Sequence, residues 1–303
     1  MISVIVPCLG GADDLADLLS SLQAQSANTI AGANNAAFEV IVVDSGLDDQ
    51  VAATAERFGV RCVRGTTILF AGQARDLGAR HARGTCFAFI DADAVAEPGW
   101  IAAAAESVRT APMAGGPVLD RLPWYTIASI DNLLQFADFG ARRPGGPIRH
   151  VPSCNMVIRR DVFFAVGGFG ERNVRSGEDV LLTEALHERW PGQLAFVPEM
   201  RVAHLGRRRL GTMLSHQHSF GYTRGFLALH LTERQRQWAG RAFLLPAVAL
   251  KHLTYVCRRG VRYGRIPLLG VPLIMPFLLL GALAWAIGLR SGVRAAATAW
   301  RPA

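Results

Sequence analysis

The chain has 303 residues, half of them hydrophobic and only 18% charged, so a sizeable core is buried and a disordered protein is not expected. Its formal net charge of +8 suits nucleic acid, anionic lipid or a phosphorylated substrate without choosing among them. Cysteines at positions 8, 62, 86, 154 and 257, with no close pair, argue against a disulfide framework and for a reducing compartment.

Ile2 to Val6 is a short, continuous apolar run, as expected of a buried parallel strand. Leu15, Leu18, Leu19 and Leu22 then recur at helical spacing. A loop rich in Ala, Asn and Gly, Ser26 to Ala37, precedes a second strand, Phe38 to Val43. Ala52 to Phe58 reads as a helix, Val60 to Val63 as a third strand, Gln73 to Ala82 as a helix, and Cys86 to Ile90 as a fourth strand ending at Asp91. This rhythm predicts an α/β fold with a mostly parallel sheet flanked by helices, where ligands bind at the carboxyl ends of the strands. Asp44 and Asp91 stand at two such ends. From Ala111 to Pro152 Gly, Pro and aromatic residues dominate, with a helix expected around Ile127 to Phe139, and a connection this long is expected to carry substrate contacts. Met156 to Arg159 reads as a strand, Asp161 to Val166 as a short helix stopped by Gly167-Gly168, and Val180 to Trp190 as a longer helix.

The last third differs. Phe243 to Val256 is apolar but interrupted by Lys251 and His252. Ile266 to Leu289 holds no charged residue, and as a helix it is roughly 36 Å long, enough to cross a bilayer. Pro267, Pro272 and Pro276 allow instead a re-entrant or in-plane helix, and a buried soluble helix is the remaining alternative. Arg207-Arg208-Arg209 and the arginine-rich stretch from Arg258 to Arg265 lie near these apolar segments, which fits anionic lipid better than nucleic acid. With a strand beginning at Ile2 and no cleavable signal expected, we expect a protein associated with the inner or plasma membrane, its catalytic part cytoplasmic.

Asp91-Ala92-Asp93 is the sharpest local feature. Two carboxylates at i and i+2, leaving a hydrophobic strand, can point to one side of an extended segment. Hard oxygen ligands of this kind suit Mg²⁺ or Mn²⁺ bound together with substrate phosphates. Glu178-Asp179, following Ser176-Gly177, reads as an acidic first turn favourable to a helix dipole. A catalytic carboxylate at the same place is compatible with that reading.

Six segments in order carry a resemblance: Pro7 after the first strand, Val42-Val43-Asp44-Ser45-Gly46, Ala74-Arg75-Asp76-Leu77-Gly78-Ala79, Phe89-Ile90-Asp91-Ala92-Asp93, Val166-Gly167-Gly168-Phe169 and Gly177-Glu178-Asp179. Together they resemble the motifs of family 2 glycosyltransferases, inverting enzymes of the GT-A fold, over roughly residues 1 to 205. The resemblance implies a nucleotide-sugar donor, with Pro7, Asp44, Arg75 and Asp91 on the nucleotide-sugar side. It implies a divalent metal, Mg²⁺ or Mn²⁺, held by Asp93 with Asp91, and His204 in the place where several relatives supply a further contact. Glu178-Asp179 matches the family's acidic pair, with Asp179 as general base; Asn155 and Gly168 would shape the acceptor side. Trp124, Tyr125 and Trp190 are candidates for stacking on a sugar. The expected organisation is a catalytic domain over 1–205, a basic helical link over 206–240 and a membrane-associated helical tail over 241–303. The acceptor is expected to be lipid-linked or a cell-envelope glycan.

The chain departs from the family at Cys8-Leu9-Gly10, which lacks the usual Asn after Pro7, and at Asp76, where Asn is usual. It has no Gln-x-x-Arg-Trp, so single transfers are expected rather than polymerisation. The rival readings are a nucleotidyltransferase, whose basic Gly-rich first loop is missing, and a nucleotide-sugar-binding scaffold without turnover.

Overall fold

A computed structural model describes residues 1–27, 37–170, 176–227 and 240–299. The chain divides into two compact units. The first comprises residues 1–119, 143–170 and 178–204, and the second 120–142, 176–177, 205–227 and 240–299.

The first unit is built on an eight-stranded mixed sheet. Strand β1 (Ile2–Cys8) is flanked by β2 (Phe38–Asp44) and β4 (Cys86–Ile90), with β3 (Arg61–Arg64) outside β2, all parallel. Helices α1 (Ala12–Ala27), α2 (Asp49–Arg57) and α3 (Ala71–His81) make the crossovers. The apolar runs of β1 and β4 are buried almost throughout, as a strand covered on both faces requires. Pro7 falls where β4 pairing has already stopped at Ile5↔Phe89, so its missing N–H costs that ladder nothing. Gly78 lets α3 lie on β1 and β2: a Cβ there would stand 2.5 Å from Ile5 Cγ2.

Beyond β4 the sheet ceases to be parallel, which periodicity did not foretell. β9 (Asn155–Arg159) pairs antiparallel with β4 and with β6 (Met113–Gly115), and β10 (Leu194–Phe196) joins β6 in parallel, with β8 (Gly146–Pro147) antiparallel at the edge. A second sheet, β5-β11-β7, contains β5 (Ala94–Ala96), β11 (Val202–His204) and β7 (Val118–Asp120). Helices α4 (Trp100–Thr110), α6 (Arg160–Ala165) and α7 (Glu178–Arg189) complete the unit.

The second unit is helical. It contains α5 (Ile127–Phe136), α8 (Leu210–Phe226), α9 (Leu245–Arg262) and α10 (Val271–Ala299) around a core that includes Ile130, Leu133, Leu253, Val256, Leu278 and Ala282. Of the loop expected over Ser26 to Ala37 and the link expected over 206–240, residues 28–36 and 228–239 lie outside the described residues.

Candidate active site

The acidic cluster forms where β1, β2 and β4 end. Asp91-Ala92-Asp93 is not extended, as its spacing suggested, but a turn joining β4 to β5 and closed by Ala94 N–H donating to Asp91 O at 3.0 Å. β11 then pairs antiparallel with β5 in the register His204↔Ala94, which sets His204 beside that turn from over a hundred residues away. His204 Nε2 is 3.2 Å from Asp93 Oδ1 and 3.8 Å from Asp91 Oδ2. One ligand atom each from Asp91, Asp93 and His204 lies within 4.8 Å of the other two. Two carboxylates and an imidazole this close fit a divalent cation by donor chemistry.

Arg75, on the buried face of α3, ties this turn to the second acidic pair. Its Nη2 donates to Asp91 Oδ1 at 2.5 Å and its Nη1 to Glu178 Oε1 at 2.8 Å, while the guanidinium lies over the Phe169 ring. The Arg75 side chain is 2% exposed, so its two terminal nitrogens are spent inside the protein rather than offered to solvent. Glu178 also accepts from Ser153 Oγ at 3.0 Å, which makes it a strut for Arg75. Asp179, next in sequence, is more open, at 18% exposure. Its Oδ1 accepts from Val180 N–H at 2.8 Å and its Oδ2 from Ser153 N–H at 3.3 Å, so both Glu178 and Asp179 are fixed by the N-terminus of α7 and the segment before β9.

Burial raises the Asp179 carboxyl above its ordinary range against the pull of Arg75 and the backbone amides. Burial and then the Asp179 charge raise Glu178. For Asp91, burial is outweighed by Arg75 and by the hydrogen bond with His204, and its pKa falls. Burial would lower His204, but Asp93 and Asp91 raise it to about 10. The cluster therefore holds a charge surplus that a cation or a proton on His204 must balance. We expect Arg75→Met, which removes the guanidinium from both Asp91 and Glu178, to cost about 3 kcal/mol of unfolding free energy in urea titrations. Adding Glu178→Gln should recover part of that loss; an unaltered Arg75→Met protein would show that the clamp contributes nothing to stability.

The other residues singled out from sequence are placed as follows. Asp44 ends β2 opposite Cys8, fully buried, and accepts from Gly46 N–H, Asp48 N–H and Arg64 Nε. These bonds hold a loop in which Leu47 has a φ of +59°, a strained conformation for a side chain of this size. Pro7 pairs with Val43 beside it. Asn155 is fully buried: its Oδ1 accepts from Trp100 Nε1, and its Nδ2 donates to Pro117 O and Met200 O. It is a core strut between β9 and the chain around 117 and 200, and it does not join the open cluster. Gly168 has a φ of +66°, and a Cβ there would stand 2.6 Å from Asp76 Oδ1, which accepts from Phe169 N–H. Asp76 thus braces the turn that sets Phe169 under Arg75. Trp190 carries the Arg189 guanidinium, and Trp124 packs edge-on to Tyr125 in the second unit.

Two residues went unnoticed in the sequence. Ser153 serves both acids of the pair, and His150 lies with Nε2 3.5 Å from Asp179 Oδ2 and Nδ1 3.4 Å from Thr183 Oγ1. Thr183 donates to the carbonyl of Asp179 or Val180, so the His150 contact needs the proton on Nδ1. Nε2 then approaches the carboxylate favourably only if it, or the carboxylate, is protonated as well. No signal in the sequence marks them, because only the antiparallel pairing of β9 with β4 brings the segment before β9 to the Asp91 end.

The fold and this cluster together define a glycosyltransferase of the GT-A fold. Residues 3–166, more than half of the chain, match glycosyl transferase family 2, and the chain belongs to that family. This removes the nucleotidyltransferase reading. No curated protein matches the chain in sequence. Among solved structures, the chain is similar to a mannosyltransferase from Pyrobaculum calidifontis in complex with GDP-Man and Mn²⁺, with a TM-score of 0.55 and 17% identity over 100% of this chain and 76% of the other. It is also similar to residues 1–349 of S. aureus TarS in complex with UDP-GlcNAc, with a TM-score of 0.50 and 15% identity over 99% and 93% of the two chains. A third, GalNAc-T7 with UDP, GalNAc and Mn²⁺, has a TM-score of 0.51 and 14% identity over 78% and 53%. At such identities the likeness is one of fold.

Proposed function

We propose that this glycosyltransferase makes single, inverting, metal-dependent transfers of a sugar from a nucleotide-sugar donor to an acceptor hydroxyl. The observation that carries this reading is the gathering of Asp91, Asp93 and His204 at one end of the Arg75 guanidinium and of Glu178-Asp179 at the other. Asp93, Asp91 and His204 would hold the cation, and the imidazole nitrogen favours Mn²⁺ over Mg²⁺. Two of the similar structures hold Mn²⁺ with a nucleotide or nucleotide-sugar, in line with this assignment. When bound, the cation supplies charge neutralisation to the departing diphosphate.

The chain's own groups account for the rest. Asp179 takes the proton of the acceptor hydroxyl as that oxygen bonds to the anomeric carbon and the bond to the nucleoside diphosphate breaks from the opposite face. Glu178, bound to Arg75 and Ser153, positions its neighbour. Pro7 and Asp44, near the ends of the adjacent strands β1 and β2, line the nucleotide side, and Arg75 acts there through Asp91, whose carboxylate it orients. Asn155 and Gly168 shape the acceptor side through the backbone they hold. His150 positions the base: as a cation it stabilises Asp179 in its ionised form. We expect the acid limb of kcat/KM to reflect the raised Asp179 carboxyl, activity falling as pH drops through that value. In His150→Gln the limb should move, since the ring nitrogen 3.5 Å from the Asp179 carboxylate is replaced by an amide. An unmoved limb would show that the two side chains are uncoupled.

We also propose that residues 1–205 form the catalytic domain, 206–240 a basic link and 241–303 a membrane-associated tail, with segment 120–142 packing among the tail helices. The tail would hold the catalytic domain at the cytoplasmic face of the inner or plasma membrane, near a lipid-linked or cell-envelope acceptor. The test is a thermal-shift screen of nucleotide-sugars with and without Mn²⁺, followed by release of nucleoside diphosphate. A preferred donor should raise the melting temperature by mass action, more so with the metal. Binding without any release would favour a scaffold, and no shift from any donor would sink the proposal.

A further inference from the structure

We infer that α10 lies in the plane of an anionic bilayer surface instead of crossing the membrane. This rests on the proposed membrane association and decides between its two forms.

By length and composition the helix over Leu268–Ala297 is able to cross a bilayer. Its packing argues otherwise. Ile274, Leu278, Ala282, Ala286 and Leu289 recur every three or four residues and are buried against α5, α8 and α9. The contact with α8 brings backbone against backbone, through two Gly-x-x-x-Gly pairs, Gly221 with Gly225 on α8 and Gly288 with Gly292 on α10. A Cβ on Gly221 would stand 2.0 Å from Trp285 O, and one on Gly288 would stand 2.0 Å from His218 O. Such contacts fix α8 and α10 at one depth over this length.

The neighbours are unfit for hydrocarbon. α8 carries His216, His218 and Arg224, and α9 carries Lys251, His252, Arg258, Arg259 and Arg262. Between α5 and α8 the fully buried Asp131 carboxylate accepts from Gln217 Nε2 at 2.8 Å and contacts His216 Nδ1 at 3.1 Å. A crossing α10 would carry these groups through the membrane with it.

The opposite face of α10 is apolar and bare: Leu273, Pro276, Leu280, Leu283 and Ile287 follow one another along a single stripe, preceded by Leu268 and by Leu269, which is 92% exposed. Nothing among the described residues covers it. Residues 240–299 contain eight Lys or Arg and no Asp or Glu. Arg259 and Arg265 are engaged by Asp138 and Asp120, whereas Arg241, Lys251, Arg258, Arg262 and Arg294 are exposed. A helix with one face on protein, an apolar stripe on the other and cations around it suits the boundary between acyl chains and anionic headgroups.

The test uses the whole chain on vesicles of phosphatidylcholine with and without phosphatidylglycerol. Leu273→Cys, Leu280→Cys and Ile287→Cys are labelled singly with a nitroxide, and their immersion depth is read against the labelled parent chain. Leu273 and Ile287 are about 21 Å apart along the helix. An in-plane helix puts all three labels within about 5 Å of one depth. Ends that differ by most of their separation, in opposite leaflets, would overturn the inference and leave membrane association standing. Binding should tighten about tenfold or more with the anionic lipid. Equal binding to both vesicles would remove the charge argument, and failure to bind either would sink the membrane reading itself.

Discussion

Asp179→Asn is expected to lower sugar transfer by about 10²- to 10⁴-fold, the range spanned by loss of a general base, while donor affinity stays within a factor of about two. The substitution should not harm the fold. The Asp179 carboxyl is raised in the folded protein, so the native state binds more protons than the unfolded one between the ordinary and the raised pKa, and stability falls as pH rises through that window. An amide has no charge to bury, which offsets the loss of one N–H partner, since the Ser153 and Val180 N–H groups, which donate to different Asp179 oxygens, meet a single acceptor oxygen in Asn. The variant should therefore melt no lower than the parent at neutral pH. The readout is release of nucleoside diphosphate from the preferred donor, with the melting temperature of both proteins. Parent-like turnover would move the base elsewhere; lost turnover with an unfolded protein would shift the test to Asp179→Ser.

The second large effect is on the cation. Asp93→Asn should weaken Mn²⁺ by more than about 100-fold, because loss of groups that merely support a ligand already costs 10- to 100-fold. A Mn²⁺ titration followed by electron paramagnetic resonance reads this without turnover. The pH dependence has a sign that can be stated in advance. His204 is raised to about 10, so below that pH it carries a proton that must leave before its nitrogen can bind a cation. Apparent Mn²⁺ affinity should then climb by about tenfold per pH unit as pH rises toward 10. In His204→Gln that slope should flatten. Persistence of the full slope would mean that the released proton belongs to another group, and unaltered affinity in Asp93→Asn would place the metal elsewhere.

Much of the first unit was legible in the sequence, because its strands are buried on both faces and appear as continuous apolar runs. Ile2 to Val6, Phe38 to Val43 and Cys86 to Ile90 each became a strand, and the helices between them followed within a few residues. Asp44 and Asp91 were legible as strand-end acids for the same reason: where an apolar run stops, the chain reaches the sheet's rim. The family motifs added the acidic pair on α7, which is also marked by the first-turn preference of a helix for negative charge.

What the tertiary structure alone decided is which distant residues share that rim. The antiparallel entry of β9 beside β4 cannot be read from periodicity, since an apolar run has the same pattern in either direction. Yet that choice carries His150 and Ser153 to Asp179. The register of β11 against β5 brings His204 to the Asp91-Ala92-Asp93 turn, and a slip of one residue would turn it to the other face. Arg75 illustrates the same divide. Its position on α3 follows from local sequence, but its two carboxylate partners come from β4 and α7, and only long-range packing brings them to opposite ends of one guanidinium.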